Sequence, residues 1–352
     1  MFENKVGQSF ENLGRRIIYA HLAAYPEFKY VPDCNASELS QRQMYDFLYD
    51  SIKTIYNDLS LINVVEEPDE CYEFWECNNV KPELILKMQK IEKNFFDLYE
   101  QFVKMGLYGN VTGSKLIIGK SDMKITQKTK DRLSLFGLTC DETNDSLVFT
   151  HNSYKELFPA WKLHCSVSKE GKIRTQNMMI FLYGRFGNKQ YTAAEMFGRL
   201  CDREQITKLE TYFLEKGYIS SNNEMGVAYE REYPKKQKAY MRVYYDWRKK
   251  NQMVFEFKVP QFSKLIKSYD KMDNDLKALV FYRTKNCDGC GYCIQTDKSG
   301  KRPKLALNLK LKEQTLLKCP LFPAIGWFNT DEEMINIVKK LFDFSEETLY
   351  AI

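Results

Sequence analysis

Apolar residues recur at helical spacing along the first third of the chain, most regularly between Pro82 and Gly106. Within that stretch they alternate four and three residues apart, at Leu84, Met88, Ile91, Phe95, Leu98, Phe102 and Met105. This spacing places them on one stripe of a helix that Pro82 would begin and Gly106 would end. The pattern predicts a long helix packed on its own domain, and the same seam would also suit a coiled-coil dimer.

Weaker periodic patterns predict shorter helices. One helix is predicted before residue 60, with Ser40 and Gln43 at the spacing of a capping box that would begin it. Others are predicted at 125–136, 154–165, 176–183, 192–200, 204–216, 261–271, 276–282 and 331–342. Pro159 would strain the middle of the helix at 154–165.

Alternating patterns predict strands at 115–118, 146–150, 239–246 and 253–259, the last two forming a hairpin. The polar segment from Ser166 to Thr175 is the candidate linker. The sequence therefore predicts an α+β protein with a helix-rich domain at 1–170 and an α+β domain at 171–352. The second domain would carry a C-terminal metal-binding segment at 283–327.

The composition is that of a globular protein, with 44% hydrophobic and 28% charged residues. The net charge of +5 is too small by itself to indicate nucleic-acid binding. Charges occupy the N-terminus where a signal peptide would be apolar, and the apolar run at 178–183 is far shorter than the roughly 20 residues that span a bilayer. We expect a cytoplasmic protein with no membrane partner, whose cysteines stay reduced.

The ten cysteines fall into two groups. Six are scattered and are predicted to be buried thiols: Cys34, Cys71, Cys77, Cys140, Cys165 and Cys201. The other four are Cys287, Cys290 and Cys293, within the string Cys-Asp-Gly-Cys-Gly-Tyr-Cys, and Cys319, which precedes a proline. Two thiolates separated by two residues can turn toward one ion, and the glycines remove Cβ atoms that would crowd the loop. These four cysteines are therefore predicted to bind one metal centre.

The cysteine string resembles the cluster loop of bacterial ferredoxins, in which three close cysteines and a distant Cys-Pro hold one [4Fe–4S] cluster. The resemblance implies an iron–sulfur centre. It departs from the ferredoxin pattern after the third cysteine, where this chain has Gln295-Thr296-Asp297 in place of another Cys-Pro. The segment from Cys287 to Trp327 also resembles the C-terminal end of a family of uncharacterised bacterial proteins with a four-cysteine cluster, which implies no particular activity.

The identity of the metal stays open between Zn(II) and [4Fe–4S]. A turn at Asp297–Lys301 predicts a hairpin leaving a zinc-ribbon-like knuckle. Four thiolates leave a charge of about −2 on either centre, and the nine Lys and Arg against three acids between Arg283 and Lys318 would offset either. A closed four-sulfur zinc site has no open coordination position, so its role would be structural. Structural Zn(II) is the first hypothesis and [4Fe–4S] the alternative.

A winged-helix DNA-binding regulator is the alternative function for residues 191–250. Ile206, Leu209 and Phe213 occur where a winged helix has the core of its second helix, and basic residues between 235 and 250 flank an aromatic strand. That helix also carries acids that would repel phosphate, Asp202, Glu204, Glu210 and Glu215.

Catalytic motifs do not stand out. The three histidines, His21, His151 and His164, form no metal-binding pair, and Ser114 to Ser121 only approximates a phosphate-binding loop that we expect to be a strand and turn. The sequence favours a ligand- or protein-binding or regulatory module over an enzyme. The small molecule or protein that would bind is not identified by the sequence.

Overall fold

The computed structural model describes residues 12–32, 34–65, 82–169, 191–223, 226–234, 237–246, 252–287, 305–322, 324–328 and 330–350. The chain divides into two compact units. The first is Met1–Tyr191 with Asn223–Met225 and Tyr245–Gln252, and the second is Thr192–Asn222, Gly226–Tyr244 and Met253–Ile352. Each combines helices with antiparallel strands, so the α+β class is confirmed. The predicted boundary at residue 170 and the predicted helix at 176–183 fall outside the described residues.

The first unit contains α1 (Leu13–Ala23), α2 (Glu38–Asn57), α3 (Pro82–Tyr108), α4 (Gln127–Ser134) and α5 (Leu157–Lys169). The predicted stripe on α3 is confirmed, because all seven of its apolar side chains are buried. Helix α3 packs against α1 and α5. The apolar stripe of α3 is therefore part of a core within one chain, and not a contact between two copies.

The start of α2 differs from the prediction. Ser37, not Ser40, caps this helix by accepting the amide of Ser40. The side chains of Ser40 and Gln43 accept instead from the amides of Ala160 and Glu156, at 2.9 and 2.6 Å. These amides lie at the start of α5, where backbone N–H groups lack intrahelical acceptors. The capping-box prediction was wrong because both side chains serve a helix that is distant in sequence.

Two further predictions about helix boundaries are corrected. Pro159 lies in the first turn of α5, so its missing N–H breaks no helical hydrogen bond and strains nothing. Helix α3 continues past Gly106 to Tyr108. A Cβ atom at Gly106 would collide with Sγ of Cys165 and lie 2.7 Å from Cδ1 of Trp161. Gly106 therefore permits the close approach of α3 and α5 and does not end its helix.

A four-stranded antiparallel sheet completes the first unit. Its strands are β1 (Asn110–Thr112), β2 (Lys115–Gly119), β3 (Leu138–Glu142) and β4 (Ser146–His151), in the order β1-β2-β4-β3. Leu116 pairs with Phe149 and both are buried. The segment that approximates a phosphate-binding loop is therefore a strand followed by a turn, as expected.

The second unit is built on a five-stranded sheet. Its helices are α6 (Ala193–Phe197), α7 (Arg203–Glu215), α8 (Phe262–Lys267), α9 (Asn274–Arg283) and α10 (Glu332–Tyr350). Its strands β5 (Ile219–Asn223), β6 (Gly226–Tyr233), β7 (Gln237–Asp246), β8 (Gln252–Lys258) and β11 (Ala324–Trp327) lie in the order β11-β8-β7-β6-β5. A separate pair consists of β9 (Leu307–Leu311) and β10 (Gln314–Lys318). The predicted neighbours at 239–246 and 253–259 are β7 and β8.

Helix α10 is fastened to the rest of its unit by aromatic packing and by ion pairs. The rings of Phe213 and Phe342 meet edge to face with centroids 4.8 Å apart. Lys216 pairs with Asp343 at 2.7 Å and with Glu346 at 2.6 Å. In the ranges that the structure describes, no helix combines the length and apolarity needed to cross a bilayer.

Candidate metal centre

Two of the four predicted ligands, Cys287 and Cys319, lie on neighbouring antiparallel segments. An isolated bridge pairs Asn286 with Lys318. On either side of it, the amides of Cys287 and Cys319 donate to backbone carbonyls of the opposite segment, at 2.7 and 3.0 Å. These hydrogen bonds fix the backbone of both cysteines although 31 residues of sequence separate them.

The register places both thiols on one face. Side chains alternate between the two faces along an extended segment. Cys287 follows Asn286 and Cys319 follows Lys318, so both cysteine side chains point to the face opposite to that of the Asn286–Lys318 pair. Cys287 and Cys319 are then diagonal neighbours, for which Cα atoms lie about 7–8 Å apart. That separation lets two thiolates turn toward one ion, since each Zn–S bond is about 2.3 Å.

Both thiols are free, and they differ in exposure. Cys319 is buried, with 8% of its surface exposed, and Cys287 is half-buried. Cys290 and Cys293 fall within 288–304, outside the described residues. Among the described residues, no group of three or more His, Cys, Asp or Glu could hold a metal ion. The four-cysteine centre therefore stays a prediction, and two of its ligands share a face of the backbone.

Cys319 directly follows strand β10. On one side this strand pairs with β9, with Lys318 opposite Leu307. On the other side it meets residues 285–287, which follow the end of α9. The predicted hairpin turn at Asp297–Lys301 lies outside the described ranges, and the hairpin that the structure describes is β9–β10. Cys319 therefore follows a strand that is held on both sides.

A buried cation precedes Cys319. Lys318 is 1% exposed, and its Nζ donates to the carbonyl oxygen of Thr284 at 2.8 Å. The same Nζ lies 5.7 Å from the centroid of the Phe281 ring. Burial lowers the pKa of Lys318 from its ordinary value.

Two neighbouring cations also pack on aromatic rings. Nζ of Lys285 lies 5.0 Å from the centroid of Phe322, and the guanidinium of Arg283 lies 5.4 Å from that of Trp327. A ring provides a partial negative face but no formal charge. Three cations, Arg283, Lys285 and Lys318, therefore lie close in sequence to Cys287 or Cys319 and pack on aromatic rings.

The scattered cysteines only partly match the prediction of buried thiols. Cys165 is buried, and burial raises its pKa well above the ordinary value of a thiol. Cys34, Cys140 and Cys201 are half-buried, so the prediction was wrong for them. Each lies at a loop or strand position with one side toward solvent. Cys71 and Cys77 fall outside the described residues.

The histidines have structural surroundings. Nδ1 of His151 accepts from the amides of Ser153 and Tyr154 at 3.1 and 2.9 Å, and its Nε2 lies 3.1 Å from the carbonyl oxygen of Phe136. His21 is buried and stacks on Phe95 with centroids 4.6 Å apart. Desolvation lowers the pKa of His21 to about 3. Neither ring is positioned as an exposed general base.

Acid is expected to destabilise the protein through His21. The pKa of His21 is about 3 in the folded protein, against the ordinary 6.5 that applies in the unfolded chain. Between these two values the unfolded chain binds a proton that the folded protein does not bind, and this favours unfolding. The stabilisation that the neutral His21 side chain provides is complete above pH 6.5 and is lost as the pH falls toward 3. From pH 7 to pH 5, wild type should lose about 2 kcal/mol of unfolding free energy relative to His21→Gln. Urea denaturation of both proteins at several pH values measures this, and parallel curves would contradict it.

Two of the acids named for α7, Asp202 and Glu210, have partners within the fold. Asp202 caps this helix by accepting the amides of Glu204 and Gln205 at 2.9 and 3.2 Å. Glu210 is buried, and one of its oxygens accepts from the amide of Ala194 at 3.3 Å and from the hydroxyl of Tyr229. Burial raises the pKa of Glu210. DNA binding by this segment stays a prediction, and its basic residues at 235–236 and 248–250 lie outside the described ranges.

Comparison of the chain with protein-family models, with curated proteins and with solved structures found no match. The functional interpretation therefore rests on the residues of the site.

Proposed function

We propose that the chain is a cytoplasmic metal-binding protein in which Cys287, Cys290, Cys293 and Cys319 hold one structural Zn(II). Its function would be that of a ligand- or protein-binding or regulatory module. The observation that carries this proposal is that Cys287 and Cys319, distant in sequence, share one face of two hydrogen-bonded segments. The other two cysteines follow Cys287 by three and six residues, a spacing that suits ligands of the same ion.

The charge around the site supports a metal–thiolate centre. Four thiolates bound to Zn(II) carry a charge of about −2, and Arg283, Lys285 and Lys318 lie close in sequence to Cys287 or Cys319. A four-sulfur zinc centre has no open coordination position, which is why the proposed role is structural. An oxidised [4Fe–4S] cluster with four thiolate ligands has the same charge. The experiment must therefore distinguish this alternative from the zinc centre.

A groove in the same unit supports a binding role. It has a volume of about 970 Å³ and lies between α9 and α10 at the end of β11. Tyr282 and Phe328 line it and are 61% and 37% exposed, while Trp327 and Leu279 are buried against it. A concave surface with exposed aromatic side chains is typical of ligand and protein binding sites. The proposed zinc centre would hold the chain close to this groove, because Arg283 lines the groove and Cys287 follows four residues later.

Metal content tests the proposal directly. Elemental analysis of the purified protein should give one zinc per chain, and Cys290→Ser and Cys319→Ser should each lose it. Cys140→Ser is the matched control, because Cys140 is a half-buried thiol in the first unit and should not affect metal content. Full metal content in the Cys290→Ser protein would show that the ligand assignment is wrong. Iron with inorganic sulfide, in a brown protein that bleaches in air, would establish the [4Fe–4S] alternative instead.

A further inference from the structure

The groove between α9 and α10 has one face of each helix as a wall. On each helix, lining residues are spaced four and three positions apart and therefore share a face: Asp275, Leu279 and Tyr282 on α9, and Glu333, Ile337 and Lys340 on α10. From the first to the last of the three residues on α9 the helix rises about 10 Å. That length matches about three residues of an extended peptide.

The groove is acidic although the chain is basic. Four acids and two bases line it, which gives a net charge of −2, whereas the whole chain carries +5. The acids are Asp275, Asp331, Glu332 and Glu333, and the bases are Arg283 and Lys340. The dipole of α10 offsets roughly half a charge at the N-terminus of that helix, which leaves the groove negative. An occupant with positive charge is therefore favoured.

Two of the four acids have partners within the groove, and two do not. Asp275 pairs with Lys340 at 3.4 Å, and Asp331 accepts a backbone amide of the first turn of α10 at 2.7 Å. Glu332 and Glu333 are exposed in that turn. The residues three and four positions after them are uncharged, and within the described ranges neither carboxylate forms an ion pair. Their two charges are therefore available to an occupant.

Exposed rings line the same groove as these carboxylates. Tyr282 and Phe328 both present part of their rings to solvent there. Aromatic side chains of this kind are enriched at protein interfaces, where they contribute much of the binding energy. We propose that the groove binds a short basic segment of a partner protein. Lys or Arg side chains of the segment pair with Glu332 and Glu333, and an apolar side chain packs on the exposed rings. This inference rests on the binding role proposed above and does not depend on the metal.

Three fluorescently labelled hexapeptides test the proposal on the full chain. The first alternates Arg with Leu, the second alternates Glu with Leu, and the third alternates Arg with Ser. The Arg–Leu peptide should bind at least about tenfold more tightly than either of the others, because it alone matches both the charge and the rings. Its affinity should fall as salt is added, since exposed charges are screened. Fluorescence anisotropy measures all three affinities.

Substitution of the two carboxylates locates the charge recognition. The double variant Glu332→Gln, Glu333→Gln should bind the Arg–Leu peptide about tenfold more weakly than wild type. The matched control is the double variant Glu232→Gln, Asp270→Asn. It removes the same charge from exposed positions of the same unit that do not line the groove, and it should change affinity by less than about twofold.

Truncation of an exposed ring tests the apolar contact. Tyr282→Ala should weaken binding of the Arg–Leu peptide by about fivefold or more. Leu214→Ala is the matched control, because Leu214 is an exposed apolar residue on α7 that does not line the groove. Both side chains are exposed, so neither variant should lose its fold.

The contrary outcomes separate this inference from the metal proposal. No binding of the Arg–Leu peptide, equal binding of the Arg–Ser peptide, or unchanged affinity in the double variant of Glu332 and Glu333 would overturn it. Self-association of the wild-type protein that the same double variant abolishes would also overturn it, because the occupant would then be a second copy of the chain. Absence of zinc from a protein that binds the Arg–Leu peptide as expected would overturn only the metal centre and would support the groove.

Discussion

Removal of the metal is expected to release residues 285–287 and the β9–β10 hairpin while β11 and α10 remain folded. The hairpin has little apolar support of its own, because Leu309 and Lys318 are its only fully buried residues. In the proposed zinc centre, its order would come mainly from metal–thiolate bonds, which in small zinc modules supply on the order of 10 kcal/mol. This is the largest effect that the structure predicts.

The released region should be narrower than the sequence suggested. The cysteine spacing alone predicts that everything from Cys287 onward depends on the metal. The structure places Ile325 of β11 opposite Phe257 in the five-stranded sheet and buries both. Helix α10 is held by Phe342 and by the Lys216–Glu346 ion pair. Neither element contains a proposed ligand, so both should keep their protection.

Hydrogen exchange with and without a chelator measures this result. The amides of Cys287 and Cys319 donate across the bridge, so their exchange should accelerate strongly in metal-free protein. The amides of α3 and of β11 are the internal controls and should not change. Unchanged protection across residues 305–319 without metal would contradict a structural role and favour a redox or sensing one.

Replacement of Trp161 by alanine is expected to cost about 3–5 kcal/mol of unfolding free energy. Trp161 is fully buried in the first unit, and its ring lies 4.8 Å from that of Phe47 and 5.5 Å from that of Phe102. Its Nε1 also donates to the carbonyl oxygen of Phe102 at 2.9 Å. Alanine would leave a large cavity and a buried carbonyl without its donor.

Two variants provide the comparison for Trp161→Ala. Trp161→Phe keeps most of the volume and loses the donor, so it should cost less than the alanine variant. Leu135→Ala truncates a side chain of the same unit that is 58% exposed, and it should change stability by less than about 0.5 kcal/mol. Urea denaturation followed by circular dichroism measures all three. An equal loss in Leu135→Ala and Trp161→Ala would show that Trp161 is not a central core residue.

Long apolar stripes made the helices of the first unit predictable. The seven apolar positions of α3 all proved to be buried, since a helix of this length has one dominant face. Short strands were missed: β3 reads Leu-Thr-Cys-Asp-Glu and β11 reads Ala-Ile-Gly-Trp, and neither shows enough alternation to identify a strand. Roles that depend on distant partners were also missed, as with Ser40 and Gln43.

The candidate site shows the same division between local and long-range information. The spacing of Cys287, Cys290 and Cys293 predicts that they are ligands of one ion, because closely spaced cysteines can share one loop. The common face of Cys287 and Cys319 depends on the pairing of β10 with residues 285–287, which no local pattern encodes. Burial of Lys318 was equally hidden, although its place after two leucines in an extended segment is a signal that could have suggested it.

The thiol of Cys165 gives the first unit a built-in reporter. It lies at the packed interface of α3 and α5, against Gly106 and 3.8 Å from the carbonyl oxygen of Phe102. A maleimide can reach this sulfur only when the two helices separate. Its labelling rate in the native protein therefore counts spontaneous openings of that interface, and the free energy of opening follows from the rate when reclosing is fast. Because this thiol is distant in sequence from the proposed ligands, the same labelling can follow the first unit while metal is added or withdrawn.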